Sequence, residues 1–376
     1  PSFFMAGKAI DFAVTGEAEI SLPGLLKAAI NHTHEFESVP NLWWKKDDSV
    51  VPPAVIKDCG EGSLHPSLKA TGVRGETLHV SASLTRGCTR KCRFCTHWNE
   101  ESMRLIPAEA AEHTFRALVE NAGRPRVRLV LEDDNLFLRP RYALNLLDRF
   151  SRAARRFSFS IETGMDHTLI TPAIADQLVD LGLESATFSL VSTDPLALRA
   201  EERHQSLSRY ESLLSFFEKK GIPVVTYFIC GLKTDTRETV AANLACLAGK
   251  NTMSGISLFY PVPGLPGYTD MALFNDVPPR LCLGSSAWPW NGSLSTDTLV
   301  TAFRLSRLGN LFSSGPSDGE ERELLETIQR KRRLYTFIKE KKGADGHRYK
   351  KRRMIEVPGQ DDSLVALFFN AAGITD

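Results

Sequence analysis

Between residues 77 and 260, short apolar runs alternate with helical stripes six times, and this alternation constrains the fold more than any other feature. The strand candidates are 77–84, 126–131, 157–161, 185–190, 223–229 and 256–260. Phe115, Leu118 and Val119 mark one intervening helix, closed by Gly123; Ile174, Leu178 and Leu181 mark another, closed by Gly182. The clearest helix spans 207–220, where Tyr210, Leu213, Leu214 and Phe217 fall at i, i+3, i+4 and i+7 before Gly221. A further helix follows Pro140, and Val240, Leu244 and Leu247 mark the last. Strands joined through helices by short connections predict a parallel sheet curled into part of a barrel. The expected class is therefore α/β, a partial (β/α)6 barrel with its functional groups at the C-terminal strand ends.

The first candidate strand runs directly into Thr85-Arg-Gly-Cys-Thr-Arg-Lys-Cys-Arg-Phe-Cys95. Cys88, Cys92 and Cys95 thus stand in C-x3-C-x2-C spacing and offer three thiolates from one short loop. Thiolates are the usual ligands of a 4Fe–4S cluster, and three ligands for four irons leave one corner free for chemistry. Structural zinc usually takes four Cys/His ligands, and His97, two positions after Cys95, would crowd the same loop. Zinc in a non-enzymatic metal-binding module is the alternative. The remaining cysteines, Cys59, Cys230, Cys246 and Cys282, form no disulfide framework, which fits a reducing, cytoplasmic setting. A net charge of +1 excludes a global field for polyanions, and the sequence contains no apolar run long enough to span a bilayer.

The cysteine loop resembles the signature of the radical S-adenosylmethionine (radical SAM) superfamily. That resemblance implies a 4Fe–4S cluster held by Cys88, Cys92 and Cys95, whose open iron binds the methionine part of SAM. It further implies reductive cleavage of SAM to a 5′-deoxyadenosyl radical, with an electron supplied by a reductase such as flavodoxin or ferredoxin. Phe94 then stands where the family's aromatic contacts adenine, although packing under the loop explains it equally. Asp133 and Asp134, in Glu132-Asp-Asp-Asn135, are candidates for the methionine ammonium; an Asp-Asp-Asn run is also an ordinary loop and cap. Glu162 ends the third strand, near the expected SAM ribose or carboxylate, with a surface ion pair as its other reading. Ser189 and Ser192 stand where a related pattern, Gly-x-Glu-Ser, carries a glutamate. Gly231 matches a glycine turn that contacts adenine through backbone atoms, and Arg203 and His204 face SAM, substrate or solvent.

A narrower resemblance is to cobalamin-binding radical SAM enzymes. Asp11-Phe-Ala-Val-Thr-Gly-Glu-Ala-Glu19 is similar to the run that leads from their Rossmann-like domain to the barrel, and Pro261-Val-Pro-Gly-Leu-Pro266 to the turn after its last strand. The subgroup's Asp-x-His-x-x-Gly run is missing from this sequence. The expectation is a longer protein whose upstream part holds cobalamin, the rival being a lineage that has lost the cofactor domain. The expected division is a Rossmann-like remnant at 1–35, a linker with a hairpin at 36–76, the barrel at 77–275 and a mostly helical region at 276–376. The implied reaction is cobalamin-dependent methylation of an unactivated carbon in a small-molecule or biosynthetic-intermediate substrate. Cobalamin-independent rearrangement or cyclisation, and RNA methylthiolation, are the other readings.

The stretch 330–353 carries twelve Lys/Arg against two acids, with Tyr335, Phe337 and Tyr349 among them. Such a mixture suits nucleic acid, but a solvated helix face and basic loop is the expected reading in a chain of balanced charge. Trp43, Trp44, Trp288 and Trp290 are expected to pack or to wall a substrate pocket.

Overall fold

The computed structural model describes residues 5, 9–33, 35–57, 64–97, 100–123, 126–274, 277–278, 281, 286–340 and 351–374. Cys59 and Cys282 lie outside them. Two compact units are present, one comprising residues 1–65 with 104–106, the other residues 66–103 with 107–376.

In the first unit, β1 (Phe12–Val14) pairs antiparallel with β2 (Leu42–Lys46), which turns back into β3 (Ser49–Val51). The turn places Asp47 at φ 54°, a left-handed conformation that Asp tolerates better than most residues. Helix α1 (Ala18–Ile30) packs Ala28 with Phe36, Val39, Leu42 and Trp44 in a small core of its own.

The second unit is built on a seven-stranded sheet. Strands β5 (Thr77–Ser83), β6 (Arg126–Leu131), β7 (Arg156–Ile161), β8 (Leu183–Val191), β9 (Val224–Cys230) and β10 (Met253–Leu258) lie side by side in chain order, all parallel. The first and last of these do not pair, so the barrel is open. An antiparallel edge strand, β4 (Ser67–Arg74), borders β5. It was not expected, because all but one of its residues are exposed and carry no apolar periodicity. Backbone pairing with β5 holds it in place.

The connecting helices follow from the apolar stripes. In α2 (Ala108–Ala122), Phe115 is fully buried and stacks on Phe150 of α3 (Pro140–Ala153), with ring centroids 4.4 Å apart. Ala143, Leu146, Leu147 and Phe150 form the inward stripe of α3, and Pro140 opens it at the position where the missing N–H costs nothing. Helix α4 (Pro172–Asp180) packs on β8. After β8 come a short helix, α5 (Pro195–Ala200), and then α6 (Leu207–Lys219), capped by the Ser206 hydroxyl and buried through Tyr210, Leu213, Leu214 and Phe217. Helix α7 (Arg237–Leu247) follows β9 with a capping box at Thr236 and Thr239.

Beyond the sheet lie α8 (Thr296–Ser314), α9 (Gly319–Lys331), an antiparallel ribbon of β11 (Tyr335–Glu340) and β12 (Lys351–Glu356), and α10 (Asp362–Ala371). The described part of the basic stretch therefore lies mostly on a ribbon rather than a helix, and residues 341–350 fall outside the described set. Among its described cations, Arg333 pairs with Glu356 and Asp362, and Arg332 donates to the Ile374 carbonyl and lies over Phe369. Among the described residues, no helix is long and apolar enough to cross a membrane.

Candidate metal centre and strand-end site

Register brings the site together. Ala82, Leu131 and Ile161 lie level across β5, β6 and β7, so the segments that follow them emerge on one rim. The cysteine loop leaves β5 there, Asp133 and Asp134 follow β6, and Glu162 follows β7.

The cysteine loop is pinned from several sides. At its entrance, Asp133 is 3% exposed, and its Oδ1 accepts from the Leu84 and Thr85 amides at 2.8 and 2.6 Å and from the Thr85 hydroxyl at 2.6 Å. Gly87 takes φ 84°, and a Cβ there would lie 2.7 Å from Glu100 Oε2 and 2.9 Å from the Ser102 carbonyl. That close approach lets Glu100 Oε2 accept the Cys88 amide at 2.8 Å. Between Cys88 and Cys92, Arg90 reaches Asp166 at 2.8 Å. At the exit, the Arg93 amide donates to the Glu201 carbonyl at 3.1 Å.

Two donors address the sulfurs themselves. Asn135 Nδ2 lies 3.9 Å from Cys88 Sγ, and Arg203 Nη1 lies 3.8 Å from Cys92 Sγ. Arg203 is held by Asp166 at 3.6 Å and by the Ser189 carbonyl at 3.5 Å. Asp166 is almost fully buried. Burial opposes its charge, but Arg203, Thr168 and Arg90 together hold its carboxyl below the ordinary carboxylate range. One carboxylate thus ties the loop's own Arg90 and the sulfur-directed Arg203 to a single buried point.

The cysteines themselves are free thiols. Burial raises the Cys88 and Cys95 thiols, and the charge of Cys92 raises both further, so the three sulfurs share one electrostatic environment. Metal binding must therefore displace protons, and N–H donors then stabilise the resulting thiolates. Among the described residues, no three Cys, His, Asp or Glu side chains are gathered as a single metal ion would need. The donor set nevertheless fits an iron–sulfur cluster in kind. It comprises three undisulfided thiols on one loop, N–H donors on two of the sulfurs, and an Arg203 Nε that is buried without a partner. His97 is not free to be a fourth ligand. Its Nδ1 meets Glu100 at 2.8 Å and its Nε2 meets Asp134 at 3.3 Å, contacts that push it up to about 9.

The other expected residues fall around the same rim. Phe94 packs against the cluster of Val191, Leu232 and Phe259, together with Tyr268 and Trp290. Tyr268 stands edge-on to Trp290 at 6.4 Å, and Trp288 lies 6.3 Å from Trp290, so these two tryptophans join an aromatic wall over the strand ends. Val191 adopts φ 45°, strained for a β-branched residue, where the β8–β9 register shifts. Ser189, on that bulge, offers its carbonyl to Arg203 and Gln205. Ser192 turns away toward Asn243. Gly231 has φ 100°, and its amide donates to the buried Asp235 at 2.7 Å. Asp134 and Glu162 are exposed on the rim, and the Glu162 carboxylate accepts from Ser160. Asn135, Asp166 and Glu100 were not singled out from sequence. For two of them a signal existed, since Asn135 and Asp166 each stand within five residues of a predicted strand's end.

Comparison with known proteins agrees with this geometry. The family described as Radical SAM superfamily matches residues 82–246. Bacteriochlorophyllide d C-12(1)-methyltransferase of Chlorobaculum tepidum is 27% identical over 191 residues, which is 50% of this chain and 41% of that protein. The chain therefore spans well under half the length of this curated relative. TsrM from Kitasatospora setae, a radical S-adenosylmethionine methyltransferase solved with tryptophan and a SAM analog, superposes with a TM-score of 0.53 at 18% identity, covering 66% of this chain and 51% of that one. The cobalamin-dependent S-adenosylmethionine radical enzyme OxsB superposes with a TM-score of 0.50 at 12% identity, covering 88% of this chain and 46% of that one. At these identities, the two structures speak for the fold.

Proposed function

We propose that this chain carries a radical SAM domain over residues 82–246, binds a 4Fe–4S cluster through Cys88, Cys92 and Cys95 and reductively cleaves S-adenosylmethionine. The observation that carries the reading is the pairing of this loop with N–H donors from two other segments, Asn135 on Cys88 and Arg203 on Cys92. When bound, the cluster would supply the one electron that splits the S–C5′ bond of SAM into methionine and a 5′-deoxyadenosyl radical, which can remove hydrogen from an unactivated carbon.

The chain's own residues would hold and shield this chemistry. Asn135 and Arg203 stabilise ligand thiolates, and Asp166 orients Arg203. Asp134, exposed on the rim, is the carboxylate for the methionine ammonium. Asp133 is committed instead to the backbone at Leu84 and Thr85, so it acts by positioning the loop. Phe94 and the Gly231 backbone border the adenine, while Ser189 and Glu162 border the rest of SAM. Phe94, Phe259, Tyr268 and Trp290 would exclude water from the radical.

The finer reading is methylation of a carbon in a small-molecule substrate, with cobalamin held by the full-length protein outside this chain and the electron donated by a cytoplasmic reductase. The relative named as a methyltransferase acting at a carbon of bacteriochlorophyllide d supports methyl transfer. The test is anaerobic reconstitution with iron and sulfide, then incubation with SAM and dithionite. Wild type should show cluster absorbance and release 5′-deoxyadenosine, while the variant with all three loop cysteines changed to Ala should do neither. Retained zinc without a cluster would refute the reading, as would release of 5′-deoxyadenosine by the triple variant.

A further inference from the structure

A cleft of about 630 Å3 opens against the cysteine loop. One wall is the segment between two of the ligands, Thr89 to Lys91, and the other is α5 with residues 202–205. Four cations line it, Arg90, Lys91, Arg199 and Arg203, beside His204. The carboxylate lining it is Glu202, which pairs with Arg93 at 3.4 Å. Lys91 spends its ammonium on a backbone carbonyl at 2.7 Å, and Arg90 and Arg203 share the single carboxylate of Asp166. In a chain of net charge +1, this is a local concentration of positive charge.

Its place matters more than its sign. Arg203 is a wall of the cleft and, at the same time, lies 3.8 Å from Cys92 Sγ. Thr89, Arg90 and Lys91 are joined covalently to Cys88 and Cys92 at either end. A partner seated here is separated from the ligand sulfurs by one layer of side chains. Leu196, 67% exposed at the start of α5, gives the charged rim an apolar neighbour of the kind protein interfaces use.

We propose that this cleft is the docking site of a small acidic one-electron carrier protein, and that the electron enters the cluster past Arg203 and the Thr89–Lys91 segment. The proposal rests on the cluster assignment above. The step is a plain electron transfer: the reduced carrier loses one electron, the cluster gains it, and no bond or proton moves. Complementary charge would steer the encounter and make it sensitive to salt.

The experiment uses the full chain and flavodoxin as the probe, with affinity measured by titration at low and high salt on both cluster-loaded and cluster-free protein. Arg199→Glu should weaken binding about tenfold at low salt and slow flavodoxin-driven cluster reduction in proportion. Glu202→Gln should do the opposite, a gain that a damaged fold would not mimic. Reduction by dithionite, which needs no docking site, should be unchanged in both variants. Unchanged flavodoxin affinity in both variants would overturn the proposal, as would binding indifferent to salt or a wild type reduced by dithionite but not by the carrier. Failure to assemble any cluster would instead count against the cluster assignment, and the cluster-free titration still decides the docking site.

Discussion

Asp133 offers the sharpest test of how the cysteine loop is held. Its carboxyl is buried among the ends of β5 and β6, and burial pushes it up from 3.8 to about 6 even though three N–H and O–H donors favour its charged form. An acid whose folded value lies above its unfolded value contributes most to stability below the unfolded value. That contribution is lost as pH rises through the folded value, because the unfolded chain releases its proton first. The interval from 3.8 to about 6, at ~1.4 kcal/mol per pH unit, amounts to ~3 kcal/mol. Asp133→Asn keeps an oxygen for Leu84 and Thr85 but cannot ionise. Urea denaturation of the cluster-free, fully reduced protein between pH 3.5 and 7.5 should show wild type losing stability relative to Asp133→Asn from 3.8 to about 6 and levelling off above that. Their offset at any one pH includes the cost of burying an amide NH2 where Oδ2 now lacks a partner, so the slope is the diagnostic quantity. Parallel pH profiles for the two proteins would refute the reasoning.

Removing the sulfur-directed donors should make the cluster harder to reduce, because thiolates stripped of N–H donors hold the oxidised state more strongly. Asn135→Leu or Arg203→Met is expected to lower the midpoint potential by on the order of 60 mV, one decade for a one-electron couple, in an EPR-monitored redox titration. Gly87→Ala forces a Cβ to 2.7 Å from Glu100 at a left-handed φ and should reduce iron incorporation several-fold while the far-ultraviolet dichroism stays unchanged. Phe150→Ala empties the stack on Phe115 and should cost ~3–5 kcal/mol in chemical denaturation. Iron incorporation below the transition should stay at the wild-type level, since neither ring touches the loop.

The barrel was legible because short apolar strands alternate with helices that bury one stripe, so periodicity and length record the alternation directly. The loop of Cys88, Cys92 and Cys95 was legible because its chemistry lies within eight consecutive residues. Strand β4 was not, because an exposed edge strand held by backbone pairing leaves no pattern of apolar residues. The two adjacent aspartates looked alike in sequence, yet Asp133 turns inward to the backbone and Asp134 outward to His97. That divergence follows from the alternation of side-chain direction just past the end of β6.

By itself, the sequence determined the class of fold and singled out the three thiols proposed as cluster donors, since both depend on neighbours along the chain. Only the tertiary structure decided how those thiols are surrounded. Asn135 and Arg203 lie 47 and 111 positions from the cysteines they address, and Glu100 and Asp166 come from two further segments. Parallel register places these segments on one rim. There, low dielectric and fixed hydrogen-bond geometry turn scattered polar residues into a site that can stabilise buried thiolates.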